Sequence, residues 1–426
     1  MQQSTQSTSL FFTLLCATSV LLSGCNSRTD SGTATKPAES ANSETIEISH
    51  LSHEATGEEL LAARLDSEAA SDGWIRLFDG HTLFGWEITG KANWRVEDGT
   101  ITVDKGEPGL LCTSMAWDDF EMSFEFNADE KSNSGVFVRT PLQPEDVALE
   151  CYEINIAPDD NPFPTAGIVK RVKAKDAPKQ TFGQWRRMTI KVVGQDVTVS
   201  LGDKVVCEYS DPVRLTANHI GLQHNKGRIA FRNIRLKPLG LKTLLDEDLA
   251  QWTKYPKMPG EFTATEDGSL QVKGGRTQLE TKESYDDFVM LAQYKMADEK
   301  MNSGIFFRCI PGDEMMGYEC QVSNQRNDGN PLSPADVGTG GIFKRQDARF
   351  VAGDPGEWAT VLLTTRGPKI AAWVNGVQVS NWQDDRKKHE NPRKGSRLEA
   401  GTIMIQGHDP GTDAVFKQLK IVPLAK

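Results

Sequence analysis

The pattern N-S-G-V-F-V-R, Asn133 to Arg139, returns as N-S-G-I-F-F-R, Asn302 to Arg308, 169 positions further along the chain. Other pairs of matching segments lie around it in the same order, at offsets between 166 and 183. Ordered matches at a nearly constant offset indicate a duplicated domain. A chain of 426 residues is also longer than a single hydrophobic core usually organises, so two domains are expected.

The matching pairs place the boundary between the two copies near Gly240. We therefore expect one domain at 72–239 and a second at 240–426. Besides the N-S-G pair, the matched segments are Asp119-Phe120 with Asp287-Phe288, Tyr152-Glu153 with Tyr318-Glu319, Gly167 to Arg171 with Gly341 to Arg345, Gly183 to Trp185 with Gly356 to Trp358, and Gln223 with Gln406.

Each copy has the residue pattern of short strands. Phe120, Met122, Phe124 and Phe126 alternate with polar residues, which is the period of a half-buried strand. The dipeptide Asn375-Gly376 between two apolar runs is a strong hairpin signal. No long segment with helical periodicity follows residue 71. The sequence therefore predicts an all-β protein with two tandem jelly-roll sandwiches.

Strand alternation predicts which side chains of the repeated pattern share a face. Gly135, Phe137 and Arg139 should face one way, with Val136 and Val138 turned toward the core. The same alternation applies to the second copy and to the Tyr-Glu strands. We expect the outer, concave face to carry Arg139, Glu153 and Asn155 in the first copy and Arg308, Glu319 and Gln321 in the second.

If these strands are neighbours, Arg139 would pair with Glu153, and Arg308 with Glu319. Two interpretations remain open at this stage. Each pair is either a structural ion pair or part of a sugar site, in which Glu is a base or accepts a hydroxyl. An adjacent arginine would lower the pKa of the carboxyl group and weaken it as a base.

Longer motifs in both copies resemble those of a known family. The first copy opens with W-I-R-L-F-D-G-H-T-L-F-G-W, Trp74 to Trp86, and continues with C-Y-E-I-N-I from Cys151. The second copy contains I-Q-G-H-D-P-G-T-D from Ile405, and its opening is a degraded form of the first. Together these motifs resemble the 3-keto-disaccharide hydrolase domain family, over essentially all of 72–239 and again in the second copy.

The resemblance implies a concanavalin-like jelly roll acting on glycosides whose ring carries a ketone at carbon 3. That ketone acidifies the hydrogen on carbon 2, so one base and donors at the enolate oxygen would allow elimination of the glycosidic oxygen. Hydration would complete the cleavage. The candidate catalytic residues are Glu153, Arg139, Lys170, Glu319, Arg308, Lys344 and His408.

Several further side chains are candidates for holding the sugar. The resemblance implies Gln-x-His near the last strand, which the second copy fits and the first copy shows with the histidine one place early. Tryptophans stack on sugar faces, although most of them in a sandwich belong to the core. The candidate substrate-binding residues are Asn155, Gln223, His224, Gln321, Gln406, Trp86 and Trp382.

A different functional class also fits the sequence, namely a non-catalytic carbohydrate-binding or surface-interaction protein with the same fold. No nicotinamide, flavin or zinc motif is present, so no cofactor is implied, and a calcium ion held by loop carboxylates stays open. The net charge of −11 argues against nucleic acid as a partner. Cys309 and Cys320 either pair as a disulfide or remain buried thiols.

The N-terminal region has the pattern of an exported lipoprotein. Leu10 to Leu22 is an apolar run that ends in L-S-G-C, which resembles a lipobox with Cys25 as the lipidated residue. The alternative is a chance apolar N-terminus, because Met1 to Ser9 has no Lys or Arg. We expect a signal peptide at 1–24, a lipid anchor in the cell envelope, and an acidic tether at 25–71. Thr56 to Ala70 is predicted to form a helix with a capping box at its start.

The lipoprotein interpretation predicts that the mature protein begins at Cys25 and partitions into detergent. Cys25→Ser removes the acceptor thiol, so the variant should appear in the aqueous phase of a detergent-partition experiment. A variant that stays with the detergent phase would contradict this interpretation.

Overall fold

The computed structural model describes residues 54–425. The expected signal peptide, Cys25 and most of the expected tether lie outside the described residues. Among residues 54–425, no helix combines the length and apolar character needed to cross a lipid bilayer.

The described chain begins with two short helices, α1 (Gly57–Ala62) and α2 (Ser67–Ser71). The predicted capping box is confirmed, since Thr56 and Glu59 bond reciprocally. The prediction of one continuous helix from Thr56 to Ala70 is wrong, because the first helix ends at Ala62, with Ala63 as its C-cap. The expectation of a flexible tether is also wrong for 54–71, because Leu60 is buried in a hydrophobic core and the Arg64 guanidinium lies 2.6 Å from the Asp354 carboxylate.

The first sandwich consists of two antiparallel sheets connected by turns and by the short helix α3 (Val147–Glu150). Its strands are β1 (Ile75–Arg76), β2 (Trp86–Thr89), β3 (Arg95–Glu97), β4 (Thr100–Val103), β5 (Gly109–Thr113), β6 (Phe120–Ala128), β7 (Ser134–Thr140), β8 (Tyr152–Ile156), β9 (Arg186–Val193), β10 (Asp196–Leu201), β11 (Lys204–Ser210), β12 (His219–His224) and β13 (Ile229–Pro238).

The second sandwich repeats this series, with a 3₁₀ turn at Asn327–Gly329. Its strands are β14 (Lys242–Thr243), β15 (Trp252–Lys254), β16 (Glu261–Ala264), β17 (Leu270–Lys273), β18 (Thr277–Thr281), β19 (Phe288–Met296), β20 (Ser303–Cys309), β21 (Tyr318–Val322), β22 (Ala359–Arg366), β23 (Lys369–Val374), β24 (Val377–Gln383), β25 (Thr402–Gly407) and β26 (Asp413–Pro423).

Strand order is the same in both sandwiches. In the first, an eight-stranded sheet runs β11-β10-β9-β6-β13-β4-β3 with β1 beside β13, and a five-stranded sheet runs β2-β5-β12-β7-β8. The second has β24-β23-β22-β19-β26-β17-β16 with β14 beside β26, and β15-β18-β25-β20-β21. The prediction of an all-β fold with two sandwiches of jelly-roll type is confirmed.

The core of each sandwich lies between its two sheets. Side chains of β6 alternate between buried and half-buried, as its sequence pattern predicts. Val136 and Val138 on β7 belong to this core, whereas Phe137 lies in a separate apolar cluster on the other side of the five-stranded sheet. The predicted alternation of side chains between the two faces of β7 is therefore correct from Gly135 to Val138. The predicted hairpin is also present, with positive φ at Asn375 and Gly376 between β23 and β24.

The two sandwiches pack against each other through the eight-stranded sheet of the second. Unlike β6, β19 is buried on both faces, and its Val289 and Leu291 join the core cluster of the first sandwich. Trp117 and Trp373 meet edge to face at 5.6 Å, and the Trp373 indole donates to the backbone oxygen of Arg76. The apolar area of this contact joins the two sandwiches into one body.

The repeated pattern ends in an arginine that the structure places differently from the prediction. Arg139 has φ +53°, and the pairing of β7 with β12 shifts register beside it. This bulge turns the side chain away from the outer face and into the sandwich, where it is fully buried. The expected pair of Arg139 with Glu153 is therefore wrong.

The buried guanidinium of Arg139 connects the two sheets of the first sandwich. It donates to the Asp119 carboxylate at 2.8 Å and to the backbone oxygens of Gly194 and Leu215 at 2.6 and 2.8 Å. Asp119 also accepts from the amide of Gly194, in the turn between β9 and β10. We call this arrangement the Arg–Asp clamp.

The second sandwich contains the same clamp, so the expected pair of Arg308 with Glu319 is wrong for the same reason. Arg308 has φ +48° beside a register shift, and its guanidinium lies 3.0 Å from the Asp287 carboxylate. Asp287 accepts from the amide of Gly367, between β22 and β23. The matching Asp-Phe segments of the two copies are explained by this role.

Breaking the clamp should destabilise the protein strongly. Arg139→Gln leaves the Asp119 carboxylate without its buried cation, so the free energy of unfolding should fall by on the order of 3 kcal/mol. Arg214→Gln is the matched control, because Arg214 also contacts the Asp119 carboxylate but its side chain is 42% exposed. It should cost less than about 1 kcal/mol. Urea denaturation measures both, and equal small losses would contradict the clamp.

Candidate functional site

The outer face of the five-stranded sheet carries the polar residues of the first candidate site. Glu153 and Asn155 lie on β8, opposite the core residues Tyr152 and Ile154, so their predicted face is confirmed. Gly135 on β7 explains the glycine of the repeated pattern. A Cβ there would lie 3.3 Å from Cγ of Glu153 and 3.0 Å from a backbone oxygen. The glycine therefore leaves room for the Glu153 side chain.

Glu153 is buried, and among residues 54–425 no arginine forms an ion pair with it. Its side chain is largely buried by neighbouring strands. Burial raises the pKa of the Glu153 carboxyl to about 7, although a hydrogen bond from Gln223 and the charge of Lys170 act in the opposite direction. At neutral pH such a carboxyl group exchanges protons readily, which is what a general base requires.

Lys170 is held beside Glu153 by a backbone contact. The segment Gly167 to Arg171 runs along the edge of β8, where the amide of Val169 donates to the backbone oxygen of Glu153 at 2.9 Å. Lys170 itself has φ +60°, a conformation that costs free energy for a residue with a side chain. Its Nζ lies 3.6 Å from the Asp146 carboxylate and is mostly exposed.

Two buried amide oxygens on this face have no hydrogen-bond partner among residues 54–425. They are Oδ1 of Asn155 and Oε1 of Gln223. The amide nitrogen of Asn155 is occupied, because it donates to the backbone oxygen of Phe163. Buried acceptors without partners are rare in proteins. These two oxygens are suited to accept the hydroxyl groups of a ligand.

A cavity of about 320 Å³ opens beside Gln223. Its floor and walls include Leu110, Phe137, Leu142 and Val147. Mostly apolar walls with a few polar groups are typical of pockets for small ligands. Of the candidate polar residues only Gln223 lines this cavity, and Gln223 in turn donates a hydrogen bond to Glu153.

The second sandwich carries the equivalent glutamate, Glu319 on β21. Burial raises the pKa of Glu319 to about 7, while Arg393 lowers it, Asp336 raises it and Lys344 lowers it. The Arg393 guanidinium lies 3.7 Å from the Glu319 carboxylate. A Cβ at Gly304 would lie 2.8 Å from Oε1 of Glu319, so the glycine of the pattern has the same role here.

Lys344 repeats the strained backbone of Lys170, with φ +58°. The amide of Phe343 donates to the backbone oxygen of Glu319 at 2.9 Å, which sets the lysine at the same strand edge. The cavity here is about 150 Å³, less than half that of the first sandwich.

In the second sandwich, the loop between β20 and β21 covers the centre of the five-stranded sheet. Met315 packs with Phe306 and Met404, and its sulfur accepts from the amide of Gln406 at 3.4 Å. Gln321 donates to Asn302 and Asp336. Within the described part of the chain, the Oε1 atoms of Gln321 and Gln406 also have no partner. The second sandwich thus has corresponding acceptors in Gln321 and Gln406, and Met315 lies against Gln406.

The two candidate histidines, His408 and His224, have partners other than Glu319 and Glu153. His408 follows the end of β25, is exposed, and has its Nδ1 2.9 Å from the Asp409 carboxylate. It does not line the cavity beside Glu319. His224 is buried, and its ring interacts with Gly106 and Asp104 instead of Glu153; burial lowers its pKa.

The two tryptophans predicted to bind sugar do not line either cavity. The Trp86 indole belongs to the core and donates to the backbone oxygen of Leu77 at 2.6 Å. Trp382 packs against Tyr318 and against Arg386 at the edge of the second core. The Trp86 ring is therefore part of the core and does not present a face to a ligand. Trp382 is only partly buried, and its predicted contact with sugar stays a prediction.

Sequence reasoning missed Arg345 and Arg393, which line the cavity beside Glu319. The signal for Arg345 was the repeated segment Gly341 to Arg345, in which it stands next to Lys344. The signal for Arg393 was a basic loop, 384–401, that is longer than the corresponding 211–218 of the first copy. Cys309 and Cys320 are buried free thiols, so a disulfide between them is not formed. In the part of the chain that the structure describes, no group of three or more His, Cys, Asp or Glu is arranged to hold a metal ion.

Comparison with known proteins gives a match in each half of the chain. The sequence model of the 3-keto-alpha-glucoside-1,2-lyase-like domain matches residues 73–237 and again residues 240–422. A 3-keto-disaccharide hydrolase from Bacteroides thetaiotaomicron is 26% identical over 296 residues, which cover 54% of this chain and 99% of that protein.

Solved structures also resemble parts of the chain. One is a protein from Parabacteroides distasonis, provisionally called a glycosyl hydrolase, which is 17% identical with a TM-score of 0.37 and covers 41% of this chain and 98% of its own. Another is a carbohydrate-binding module from Bacillus subtilis, 15% identical with a TM-score of 0.29, covering 36% and 95%.

Proposed function

Because this chain belongs to the family of 3-keto-alpha-glucoside-1,2-lyase-like domains, we propose that it cleaves glycosides that carry a ketone at carbon 3. It is a carbohydrate-active protein similar to 3-keto-disaccharide hydrolases. The observation that carries the proposal is the buried glutamate on the outer face of each five-stranded sheet, whose carboxyl has a pKa of about 7.

The proposed reaction begins with removal of the proton on carbon 2 by the Glu153 carboxylate. The electron pair of that bond moves toward the ketone and gives an enolate. The enolate then expels the glycosidic oxygen from carbon 1, and the leaving oxygen takes up a proton. Water adds across the resulting double bond, so that elimination and hydration together amount to hydrolysis.

A carboxylate with a pKa near the working pH is suited to the first step, because a substantial fraction of it is ionised and that fraction is basic enough to accept a proton. An arginine held against it would have lowered that pKa. In this chain the arginine of the repeated pattern, Arg139, pairs with Asp119 in the Arg–Asp clamp and does not contact Glu153. Ordinary glycoside hydrolysis uses two carboxylates across the bond, a requirement that elimination does not have.

The other polar groups have complementary roles in the proposal. Lys170, beside Glu153, supplies positive charge where the enolate oxygen develops. The unpartnered oxygens of Asn155 and Gln223 accept sugar hydroxyls. Lys344, Gln321 and Gln406 are the corresponding groups of the second sandwich.

We propose that the first sandwich performs most of the cleavage and that the second mainly binds sugar. The cavity volumes support this division, since the cavity lined by Gln223, the hydrogen-bond partner of Glu153, is about 320 Å³, whereas the cavity lined by Glu319 is about 150 Å³. The contact of Met315 with Gln406 restricts access to the second site, which also favours a mainly binding role over turnover there. A carbohydrate-binding role is thus the second candidate function, favoured for that half of the chain.

We also propose that the protein is exported and anchored by lipid at Cys25. The apolar run of Leu10 to Leu22 and the following L-S-G-C support this localisation. A cell-envelope position would expose the sandwiches to glycosides outside the cytoplasm.

Removing each carboxylate separately tests the proposed division of labour. Glu153→Gln should lower kcat/KM for 3-keto-trehalose or 3-keto-lactose by roughly 10²-fold or more, the usual contribution of a general base. Glu319→Gln should change turnover much less. Glu208→Gln on the exposed side of β11 is the matched control. Release of glucose and the absorbance of an enone intermediate measure turnover, and calorimetry measures binding.

Two results would contradict the proposal in different ways. Turnover that survives in both single variants and in the double variant would remove the glutamates from the reaction. Loss of both turnover and all sugar binding in either single variant would mean that the two sandwiches share one site.

A further inference from the structure

The cavity beside Glu319 has a charge distribution that the first sandwich lacks. Its walls include Lys344, Arg345 and Arg393, against the single carboxyl group of Glu319. Burial raises the pKa of that carboxyl to about 7, so at neutral pH it carries only part of a negative charge. The cavity is therefore positive, in a chain whose net charge is −11.

The position of Arg345 follows from a change of partners between the two copies. The matching residue in the first copy, Arg171, lies 2.6 Å from the Asp211 carboxylate and 4.7 Å from the centre of the Tyr152 ring. Its side chain is only 9% exposed. In the first sandwich this arginine is therefore a structural residue whose side chain is largely inaccessible to a ligand.

In the second sandwich that structural role belongs to another residue. Arg386 makes two hydrogen bonds of 2.8 Å to the Asp384 carboxylate and lies over the ring of Tyr318. Arg345 consequently donates only to the backbone oxygens of Lys344 and Arg393. Among residues 54–425, no carboxylate lies within ion-pair distance of Arg345, and burial together with the charge of Arg386 lowers its pKa.

The loop 384–401 supplies the second arginine. It spans eighteen residues between β24 and β25, whereas the corresponding 211–218 spans eight. Arg393 is fixed by donation to the backbone oxygen of Met315 at 2.9 Å and lies over the ring of Phe306 at 5.5 Å. Its contact with Glu319 is long, at 3.7 Å. Both arginines thus keep guanidinium donors for a ligand.

We propose that this cavity binds the anionic group of a sugar, a carboxylate or a phosphate ester, through Arg345 and Arg393. The planar fork of a guanidinium matches both oxyanions, and Lys344 adds a third positive charge. Glu319, when protonated, donates a hydrogen bond instead of repelling the anion. The inference rests on the proposed function for the sugar part of the ligand, and it makes the second sandwich a selector for acidic glycosides.

Calorimetry with four probes tests this on the full chain: D-glucuronate, D-glucose 6-phosphate, D-glucose and inorganic phosphate. At least one anionic sugar should bind about tenfold more tightly than glucose, and more tightly than inorganic phosphate, which lacks the ring. Glucuronate and glucose 6-phosphate distinguish the carboxylate from the phosphate. High salt should weaken the binding of the preferred anionic sugar.

Variants connect the preference to the two arginines. The double change Arg345→Gln and Arg393→Gln should abolish the roughly tenfold preference, and Arg345→Lys with Arg393→Lys should restore part of it. Lys387→Gln is the matched control, since it removes an exposed charge from the same loop outside the cavity. A thermal melt of each variant checks that it is folded.

Several outcomes would overturn the inference: equal binding of glucose and both anionic sugars, binding of inorganic phosphate as tight as that of glucose 6-phosphate, or the same loss in Lys387→Gln. Turnover of a neutral 3-keto-disaccharide is measured on the same preparations. No anion preference with intact turnover would overturn this inference alone. No turnover with an intact preference would overturn the proposed function alone.

Discussion

Each sandwich is closed at one end by a guanidinium buried between its sheets. The Arg–Asp clamp joins the five-stranded sheet to the start of the central strand of the eight-stranded sheet and to a neighbouring turn. A buried charge is tolerated only when it is paired and hydrogen-bonded, so the aspartate and the carbonyl oxygens around it are constrained as well. This requirement accounts for the arginine at the end of the repeated pattern and for the matching aspartates.

The clamp also decides the chemistry of the outer face. Because the arginine turns inward at a bulge, the glutamate on the neighbouring strand has no strong cation bonded to it in the first sandwich. Burial then dominates and raises the pKa of Glu153 to about 7. The glycine at the start of the pattern leaves space for this carboxyl group. One seven-residue pattern therefore supplies both the buried structural arginine and the space for a buried carboxyl group on the neighbouring strand.

Duplication kept this scaffold and changed the loops above it. Glutamate, lysine and glycine recur at matching positions, with the same strained backbone at Lys170 and Lys344. The first sandwich has an open cavity beside Gln223. In the second sandwich Met315 lies against the equivalent Gln406, and Arg393 lines the smaller cavity beside Glu319. The outer face of the eight-stranded sheet in the second sandwich is also covered, because the first sandwich packs against it. The two copies thus share a fold and differ in access and charge.

Much of this architecture could be predicted from residue patterns. Period-two alternation identified strands such as β6, the Asn-Gly dipeptide identified a hairpin, and alternation placed Glu153 and Asn155 on the correct face. The bulge at Arg139 could not be predicted, because an arginine with positive φ leaves no mark in the alternation. Long-range contacts place Trp86 in the core and bring Arg393 of the loop 384–401 close to Glu319. Spacing along the chain does not reveal such contacts.

We propose that Glu153 is a base whose pKa is raised by burial. The pH dependence of kcat/KM for a 3-keto-disaccharide tests it most directly, because this profile reports the base of the free enzyme. Activity should be lost as pH falls through about 7 and reach a plateau above it, since the carboxylate must be ionised to accept the proton. A profile that stays flat down to about pH 5, as expected of a solvated or arginine-paired glutamate, would contradict the account.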